Sequence, residues 1–440
     1  MNSLGHGLAP KMKPLSTKRS AIVAALDIGT SKIACLIARL KPCVQQESLR
    51  RRTHAIEILG IGHTRARGIK SGTVIDLTEA EEAVRHAVAA AERMAGVELD
   101  SVIASVSAGR LSSELFTATV HVAGPTVTPG DIERVLAAGS RHSLRDGRVV
   151  LHSLPIGYAL DGARGIRDPR GMLGKRLGVD IHVVTADIAA LRNLMLAVEH
   201  CHLTVEAMVA TPYMAGLAVL ADDEADLGAA VIDMGAGTTT IAVFCGGHLV
   251  HADGFAVGGH HVTMDLARGL NANIADVERL KTLHGNVLAG VSDDRDVIPV
   301  PGVGVDDREP PHLVSRANLI GIMKPRVEEI LEMTRDRLNA SPFTADPRGR
   351  IILTGGASQL TGVAELATRI LGRQVRIGRP LGIAGLPEAA KGAAFAASAG
   401  LLVYPQAAHL EHFEPRRTRQ AATGTDGYFS RVGRWLRESF

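Results

Sequence analysis

The sequence predicts an α/β protein built from two related lobes. Strand-like apolar runs alternate with helical patterns along most of the 440 residues. Two strand–turn–strand units, one opening at Asp27 and the other at Asp233, lie about 200 residues apart and indicate a repeated lobe. Hydrophobic residues make up 46% of the chain but aromatic residues only 3%, which is typical of layers packed through small aliphatic side chains.

The first lobe begins after residues 1–20, which we expect to be a disordered basic leader. Apolar residues at helical spacing predict a helix over 77–94. Short apolar runs bounded by turn residues predict strands at 21–26, 32–40, 56–63 and 101–107.

Residues 108–181 differ in character and predict an inserted small α/β module. Strand patterns at 115–122 and 149–158 flank one helix, which is expected to begin near Thr128 because acidic residues occupy its first turn. The glycine- and arginine-rich stretch 162–176 is expected to be a loop.

The remaining chain returns to alternating strands and helices. The proline- and aspartate-rich stretch 291–311 is expected to be an exposed loop or hairpin, and 405–426 a polar linker. The predicted strands are 181–185, 229–232, 241–244 and 351–353, and the predicted helices are 188–201, 262–284 and 316–338.

Composition argues against several classes of protein. The net charge of +3 is spread over a long chain and aromatic residues are scarce, so we expect no nucleic-acid partner. The four cysteines lack CxxC spacing and the histidines lack HExxH or HxH spacing, which predicts no metal site made from them. Neither a signal-peptide pattern nor an uncharged apolar run of ~18 residues is found, so we expect a cytosolic chain without a transmembrane helix.

The turn after Asp27 has the chemistry of a phosphate site. Gly29 allows the backbone to approach a ligand closely, and N–H groups in a tight turn form a nest for phosphate oxygens. Thr30 and Ser31 can donate hydroxyl protons, and Lys32 can pair with phosphate charge. A carboxylate repels phosphate, so Asp27 is predicted to hold Mg²⁺ through water.

The same reasoning applies to the turn that opens at Asp233. A single turn of this kind is more often an ordinary hairpin, but two of them, each opening a lobe, predict ATP with Mg²⁺ in a cleft between the lobes. The run Gly355-Gly356-Ala357-Ser358 follows a strand and would allow an adenine ring to lie against the backbone.

These three motifs, in this order, resemble the phosphate-1, phosphate-2 and adenosine motifs of the ATPase superfamily of actin, heat-shock chaperones and sugar kinases. Within that superfamily the chain most resembles the FtsA family of bacterial actin-like cell-division proteins, over roughly residues 21–404 and the C-terminal tail. The resemblance implies a two-lobed actin-like α/β fold with ribonuclease H-like lobes, an FtsA-type inserted subdomain and a C-terminal amphipathic helix.

The resemblance also implies where the nucleotide is held. Besides the three motifs, it implicates the glycines that follow phosphate-2 and a Glu and a Lys on a helix facing the nucleoside. Asp27 and Asp233 would hold the metal. The implied nucleotide-binding residues are Gly29, Thr30, Ser31, Lys32, Gly235, Gly237, Thr238, Thr239, Gly258, Gly259, Glu278, Lys281, Gly355, Gly356, Ala357 and Ser358.

Subdomain boundaries follow from the same resemblance. They are 1A at 21–107 and 182–210, 1C at 108–181, 2A at 211–260 and 349–404, 2B at 261–348, a linker at 405–426 and a membrane-targeting helix at 427–440.

Two positions depart from the superfamily pattern. Ala236 stands where many members have Gly. Relatives place an acidic residue or a Gln near Thr211-Pro212 to orient the attacking water, and these two residues offer no evident base. We therefore expect weak or negligible ATPase activity, and we assign no catalytic residue.

The last fourteen residues predict a helix that lies in a membrane interface. At 100° per residue, aromatic and aliphatic side chains fall on one face and arginines on the rest. Such a helix is about 21 Å long, too short to cross a bilayer, and its cationic face suits anionic lipid. The predicted membrane-binding residues are Tyr428, Phe429, Arg431, Val432, Arg434, Trp435, Leu436, Arg437 and Phe440. A helix docked on its own core is the alternative, which the polar linker and the cationic face disfavour.

The resemblance implies a protein that binds ATP, self-associates and anchors FtsZ to the inner membrane face at the division site, together with other division proteins. By resemblance alone, the FtsZ-facing surface would be 261–348. The alternatives are a small-molecule kinase or phosphatase of the same superfamily, or a chaperone. Asp187 is the nearest candidate for a kinase base, but N-capping of the following helix explains it. A chaperone would need a peptide-binding domain after residue 400, where only about 40 residues remain.

Overall fold

The computed structural model describes residues 9–43, 49, 51–107, 110–140, 146–291, 293–302, 311–345 and 349–413. The predicted membrane helix at 427–440 and most of the predicted linker lie outside these residues. Within the described part, no helix is long and apolar enough to span a bilayer.

Strands and helices alternate as the sequence predicts. The strands are β1 (Ala21–Ile28), β2 (Lys32–Pro42), β3 (His54–Arg65), β4 (Ile69–Lys70), β5 (Thr73–Val74), β6 (Ser101–Val106), β7 (Ser112–His121), β8 (Arg148–Leu160), β9 (Ala163–Ile166), β10 (Arg176–Asp187), β11 (Thr204–Ala210), β12 (Ala229–Met234), β13 (Thr239–Cys245), β14 (His248–Phe255), β15 (Val297–Val300), β16 (His312–Ser315), β17 (Arg350–Thr354), β18 (Val375–Ile377) and β19 (Ile383–Ala384). The α-helices are α1 (Leu77–Ala95), α2 (Pro129–Gly139), α3 (Ile188–Glu199), α4 (Thr211–Val219), α5 (Asp222–Leu227), α6 (Gly259–Leu270), α7 (Ile274–His284), α8 (Arg316–Asn339), α9 (Val363–Leu371) and α10 (Ala396–Ala407).

The first lobe contains a six-stranded sheet in the order β11-β6-β1-β2-β3-β19. β1, β2 and β3 form an antiparallel meander, and β6 and β11 continue the sheet in parallel. Helix α1 packs closely on β3 because Gly62 has no side chain: a Cβ there would lie 2.0 Å from the Ala87 carbonyl oxygen.

The second lobe repeats this arrangement in a five-stranded sheet, β14-β13-β12-β17-β18. β12, β13 and β14 form the antiparallel meander, and β17 and β18 are the parallel strands. The two sheets have equivalent connectivity around β1 and β12, the strands that carry Asp27 and Asp233. The predicted repeat of a whole lobe is therefore confirmed.

The inserted module is a four-stranded sheet, β7-β10-β8-β9, covered by α2. A capping box between Thr128 and Asp131 begins α2 at the predicted position. The module contacts the second lobe at β14, where the Ser113 hydroxyl accepts a hydrogen bond of 2.9 Å from the Ala252 amide.

Some predicted elements were wrong in detail. The predicted helix at 262–284 is two helices, α6 and α7, because Asn271 adopts a left-handed conformation (φ 45°) that ends α6. The predicted loop at 162–176 contains β9, which pairs with β8. For the stretch 291–311 the hairpin alternative is confirmed, because part of it forms β15, which pairs with β16.

The prediction of disorder in the N-terminal leader was wrong for its described end, which begins at residue 9. Ala9 is buried, and its amide donates to the Val150 carbonyl at 3.0 Å. The Pro10 carbonyl accepts from Met208. This segment is held because the strands β8 and β11 offer it backbone partners.

The predicted linker also begins too early. α10 continues to Ala407, and the Gln406 side-chain oxygen accepts hydrogen bonds of 2.9 Å from the amides of Thr53 and His54. Beyond the helix, Glu411 is buried. Residues 405–413 therefore belong to the folded body.

Candidate nucleotide cleft

The two Asp-Gly turns have the same backbone geometry. Gly29 N–H donates to the Lys32 carbonyl at 3.0 Å, and Gly235 N–H donates to the Thr238 carbonyl at 2.9 Å. A Cβ at either glycine would lie 2.9 Å from that carbonyl oxygen. Each turn is closed so tightly that a side chain at the glycine would collide with it.

The turns of the two lobes meet directly. A Cβ added to Gly237 would lie 2.5 Å from the Thr30 hydroxyl oxygen. The Thr30 hydroxyl also accepts a hydrogen bond from Gly72 N–H at 3.1 Å. The residues that the sequence places about 200 positions apart therefore line one cleft.

Two carboxylates and a lysine share this cleft. Burial raises the pKa of Asp233 to about 7, and the negative charge of Asp27 adds to the shift while Lys32 opposes it. Burial lowers the pKa of Lys32, against the attraction of Asp27 and Asp233. The three groups are thus within electrostatic reach of one another, in surroundings that disfavour an unpartnered charge.

The adenosine-type loop closes the cleft from the second lobe. Gly355 has φ 85°, and a Cβ there would lie 2.2 Å from a carboxylate oxygen of Asp233. The Ser358 hydroxyl donates to the Gly355 carbonyl at 2.8 Å, which fixes the loop. The side chain of Ser358 is therefore occupied within the loop.

The glycines after β14 join this loop to the Asp233 turn. Gly259 N–H donates to the Gly235 carbonyl at 2.9 Å, and a Cβ at Gly259 would lie 2.8 Å from the Cβ of Ala357. A Cβ at Gly258 would lie 2.5 Å from the Gly235 carbonyl oxygen. Small residues are needed here because three backbone segments converge.

Helix α7 supplies a charged pair beside these glycines, and α6 supplies a hydroxyl, that of Thr263. The Lys281 ammonium donates to the Gly259 carbonyl at 3.2 Å, to the Thr263 hydroxyl at 2.9 Å and to Glu278 at 2.7 Å. Glu278 keeps a lowered pKa because Lys281 and Thr263 outweigh the effect of burial. The structure thus brings the predicted Glu and Lys to the same cleft.

The threonines considered in the sequence differ in whether their hydroxyls are already hydrogen-bonded. The buried Thr239 hydroxyl donates to the Val257 carbonyl at 2.8 Å, so this side chain supports the turn. The Thr211 hydroxyl is buried and has no hydrogen-bond partner among the described residues. The binding role of each predicted residue stays a prediction.

Sequence reasoning missed three groups on the other side of the cleft. The Ser398 hydroxyl donates to a carboxylate oxygen of Asp27 at 2.7 Å. The Lys32 ammonium donates to the Ala394 carbonyl and lies 3.3 Å from the centroid of the Phe395 ring. The signal that could have found them is a single serine inside the apolar run 393–403.

Two equivalent lobes, each presenting an Asp-Gly turn to a shared cleft, define the class of actin-like ATPase folds. Solved structures agree: the PilM–PilN type IV pilus biogenesis complex matches with TM-score 0.60, 16% identity and coverage of 87% of this chain and 98% of that one. MreB5 of Spiroplasma citri bound to ADP matches with TM-score 0.50, 13% identity and coverage of 88% and 97%.

Family models and curated relatives are more specific. The family model "Cell division protein FtsA" matches residues 230–400, and "SHS2 domain inserted in FTSA" matches 108–185. FtsA of Rhizobium meliloti is 55% identical over 438 residues, covering 100% of this chain and 99% of the relative. FtsA of Escherichia coli K12 is 32% identical over 426 residues, covering 95% and 98%. The chain belongs to the FtsA family of cell division proteins.

Proposed function

We propose that the cleft binds ATP with Mg²⁺ and that the nucleotide sets how the two lobes close. The observation that carries this proposal is the direct meeting of the two Asp-Gly turns at Thr30 and Gly237. The MreB5 structure, which shares the fold, holds ADP. The donor set also fits, because turn N–H groups and Lys32 suit phosphate, and Asp27 with Asp233 suit a hydrated Mg²⁺.

A bound cation would also resolve the electrostatics of the cleft. Asp27 and Asp233 repel each other, and burial of Asp233 adds to the cost of its ionisation. Mg²⁺ with its phosphates brings the positive charge that such a pair needs. The chain's own residues would hold the cation, orient the phosphates through the turns and exclude water by closing the lobes.

Slow turnover fits the same cleft. The position after β11 presents Thr211 and Pro212, and neither side chain is a base able to take a proton from water. Binding without rapid hydrolysis makes the nucleotide a structural switch, which favours an assembling scaffold over a small-molecule kinase.

Mg-ATP binding is tested by replacing Asp27. In the wild-type protein, saturating Mg-ATP should raise the melting temperature, since a ligand at 100 times its Kd stabilises by about 2.7 kcal/mol. Asp27→Asn keeps the shape and can still accept from Ser398, but it should lose most of the Mg²⁺-dependent part of that shift. Differential scanning fluorimetry with ATP, with and without Mg²⁺, measures it.

Asp336→Asn is the matched control, since Asp336 is exposed on α8 and pairs only loosely with Arg335. It should respond to Mg-ATP like the wild type. An Asp27→Asn protein with an undiminished Mg²⁺-dependent shift would contradict the proposal.

We further propose that the protein self-associates and anchors FtsZ to the inner membrane face through the amphipathic helix at 427–440. Support comes from membership of a cell-division family and from the aromatic and arginine pattern of the tail. FtsZ is the expected cytoskeletal partner, with other division proteins at the same site.

Vesicle sedimentation tests the anchor. The full chain should pellet with vesicles that contain anionic lipid and should carry purified FtsZ with it. A chain ending at Gly424 should stay in the supernatant with FtsZ. Equal pelleting of the two chains would contradict the proposal that residues 427–440 anchor the protein to the membrane. In a separate assay, transfer of phosphate from ATP to a small molecule would favour the kinase alternative.

A further inference from the structure

The N-terminal segment and the segment that follows α10 meet on β8, on the inserted module's side of the first lobe. The N-terminal segment bonds to β8 and β11 through Ala9 and Pro10. The segment 408–413, which we name the tail root, bonds to β8 through His412 N–H, 2.9 Å from the Ser153 carbonyl oxygen. The tail root is the last described part of the chain before the predicted membrane helix.

A buried charge cluster holds the tail root in place. One Glu411 oxygen accepts from His152 Nδ1 at 2.7 Å, and the other accepts from the Lys11 ammonium at 3.1 Å. The Glu411 side chain is 2% exposed and that of His152 is fully buried. Burial opposes ionisation of Glu411, but Lys11 and His152 outweigh it and lower the pKa of this carboxyl. We name Lys11, His152 and Glu411 the clasp.

The clasp reaches the start of helix α4 through His152. The Ala210 amide donates to His152 Nε2 at 2.9 Å, so the ring proton must be on Nδ1, where Glu411 accepts it. Ala210 is the residue before α4, whose first residue is Thr211. One neutral tautomer therefore links a tail-root carboxylate to the backbone at the start of α4, a helix that packs closely on α10: a Cβ at Gly400 would lie 1.9 Å from the Met214 carbonyl oxygen.

Helix α10 connects the cleft to the histidine of the clasp. Its first turn carries Ser398, which bonds to Asp27 in the cleft. Its last residues precede the tail root, and the Tyr404 ring packs edge-on against His152 with the ring centroids 6.0 Å apart. A helix of 12 residues spans about 18 Å and transmits a shift at one end to the other as a rigid element.

We propose that the clasp couples the nucleotide cleft to the tail root, so that nucleotide binding at Asp27 and Lys32 changes how firmly residues 408–413 are held. The inference rests on the proposed nucleotide binding. Coupling of this kind is reciprocal, so fixing the tail on a membrane also changes nucleotide affinity.

The charge of Glu411 is the part of the clasp that can be removed cleanly. Glu411→Gln leaves Lys11 beside a neutral amide and replaces the charge-assisted bond to His152 by a weaker neutral one. His152 keeps its bond from Ala210, but the tail root is held less firmly against it. Nucleotide binding in the cleft should then no longer change how firmly the tail root is held.

Hydrogen–deuterium exchange of the full-length protein, with and without Mg-ATP, tests the coupling. In the wild type we expect Mg-ATP to slow exchange in the peptide covering the Asp27 turn and to change exchange in 404–413 by about fivefold or more. Glu411→Gln should keep the first effect and lose the second. Glu388→Gln is the control, because Glu388 is exposed and pairs with Lys391 on the surface.

The outcomes separate the two proposals. Protection of the Asp27 turn in every protein, with an unchanged tail-root response in Glu411→Gln or none in the wild type, would overturn the coupling and leave nucleotide binding standing. No protection of the turn in the wild type would remove both. If Glu411→Gln does not fold, Lys11→Met combined with Glu411→Gln avoids the unpaired buried charge and should give the same loss.

Discussion

At the scale of single residues, Asp233 stands out because it is buried beside a second carboxylate. Its pKa is raised from 3.8 to about 7, chiefly by burial and then by the charge of Asp27. Ionisation of this buried carboxyl lowers the free energy of unfolding unless a bound cation neutralises the charge. The cleft therefore links stability to pH and to Mg²⁺.

Asp233→Asn should flatten this dependence. Since the folded-state pKa lies above the unfolded one, the stability that goes with the protonated form is fully present below about pH 4. It is lost as the pH rises through about 7. Without Mg²⁺, the wild-type free energy of unfolding should fall across this window, and Asp233→Asn should be more stable at pH 8 by roughly 1–4 kcal/mol. Urea denaturation in EDTA at several pH values measures this difference.

Asp100→Asn, on the loop before β6, is the matched control. It should show the same pH dependence of the free energy of unfolding as the wild type. A wild-type profile that stays flat between pH 4 and 7, or an Asp233→Asn protein less stable than wild type at pH 8, would contradict the expectation.

Site residues could be predicted from the sequence where one short motif specifies both the backbone turn and the charged side chain. Asp27 and Asp233 each precede an apolar-flanked turn with glycine, and that local pattern survives in the structure. Ser398 was not predicted: its place as a lone serine in an apolar run marks it as unusual, but its partner Asp27 is 371 residues away and the run does not indicate which residue it contacts. A residue that joins a site only through a long-range contact cannot be assigned to that site from its neighbours in the sequence.

At the scale of elements, the contact between β7 and β14 joins the inserted module to the second lobe. The Ser113 hydroxyl accepts from the Ala252 amide, which the edge strand β14 would otherwise leave unpaired at that position. Ser113→Ala should destabilise this contact by about 1–3 kcal/mol, because it leaves a partly buried N–H without its acceptor.

Amide exchange at Ala252 reports this loss, and we expect it to accelerate in Ser113→Ala. Ser112→Ala is the matched control, since the structure uses the carbonyl of Ser112, which accepts from Thr185, and that carbonyl is retained. Equal exchange rates at Ala252 in the two variants would show that the serine hydroxyl does not hold the module.

Elements with strong periodicity were predicted best. The helix α1 differs from its predicted span of 77–94 by one residue, and all three strands of the first meander were predicted from their apolar runs. In the second meander β12 and β13 were predicted, but β14 was missed. The break between α6 and α7 was missed because Asn271 tolerates a left-handed backbone while apolar spacing continues on both sides of it. A periodic pattern does not show a change of helix axis.

At the scale of the whole molecule, Arg51 bridges the two lobes. It lies before β3 in the first lobe, and its guanidinium donates to the Gly247 carbonyl at 2.6 Å and to Asp226 in the second lobe. Its amide donates to Asp222 at 3.1 Å. The side chain is partly exposed, so its attraction is screened and each ion pair contributes at most about 1 kcal/mol.

Arg51→Met should loosen lobe closure and speed nucleotide release. A loss of up to about 1 kcal/mol corresponds to a rate increase of up to about fivefold, measured by stopped-flow displacement of a fluorescent ATP analogue. Arg376→Met removes an ion pair to Glu224 that lies within the second lobe alone, so it should leave the release rate near the wild-type value. Equal acceleration in both variants would argue against a bridge specific to the lobes.

The two-lobed architecture was predictable because each lobe contains a similar turn between similar apolar strands, and both patterns are visible in the sequence. The positions of the chain ends were not. Residues 9–13 and 405–413 are polar and proline-containing, which favoured an interpretation as leader and linker. They are ordered by partners that come from distant parts of the chain, such as His152 for Glu411 and Thr53 for Gln406.

The inserted module enters and leaves the first lobe at neighbouring points. Ser112 at the start of β7 is the register partner of Thr185 near the end of β10, which places their Cα atoms about 5 Å apart. A cassette with adjacent ends can be gained in a single genetic event without disturbing the strands on either side. It can also be exchanged for a foreign domain whose termini lie equally close, which makes this lobe a natural scaffold for grafting.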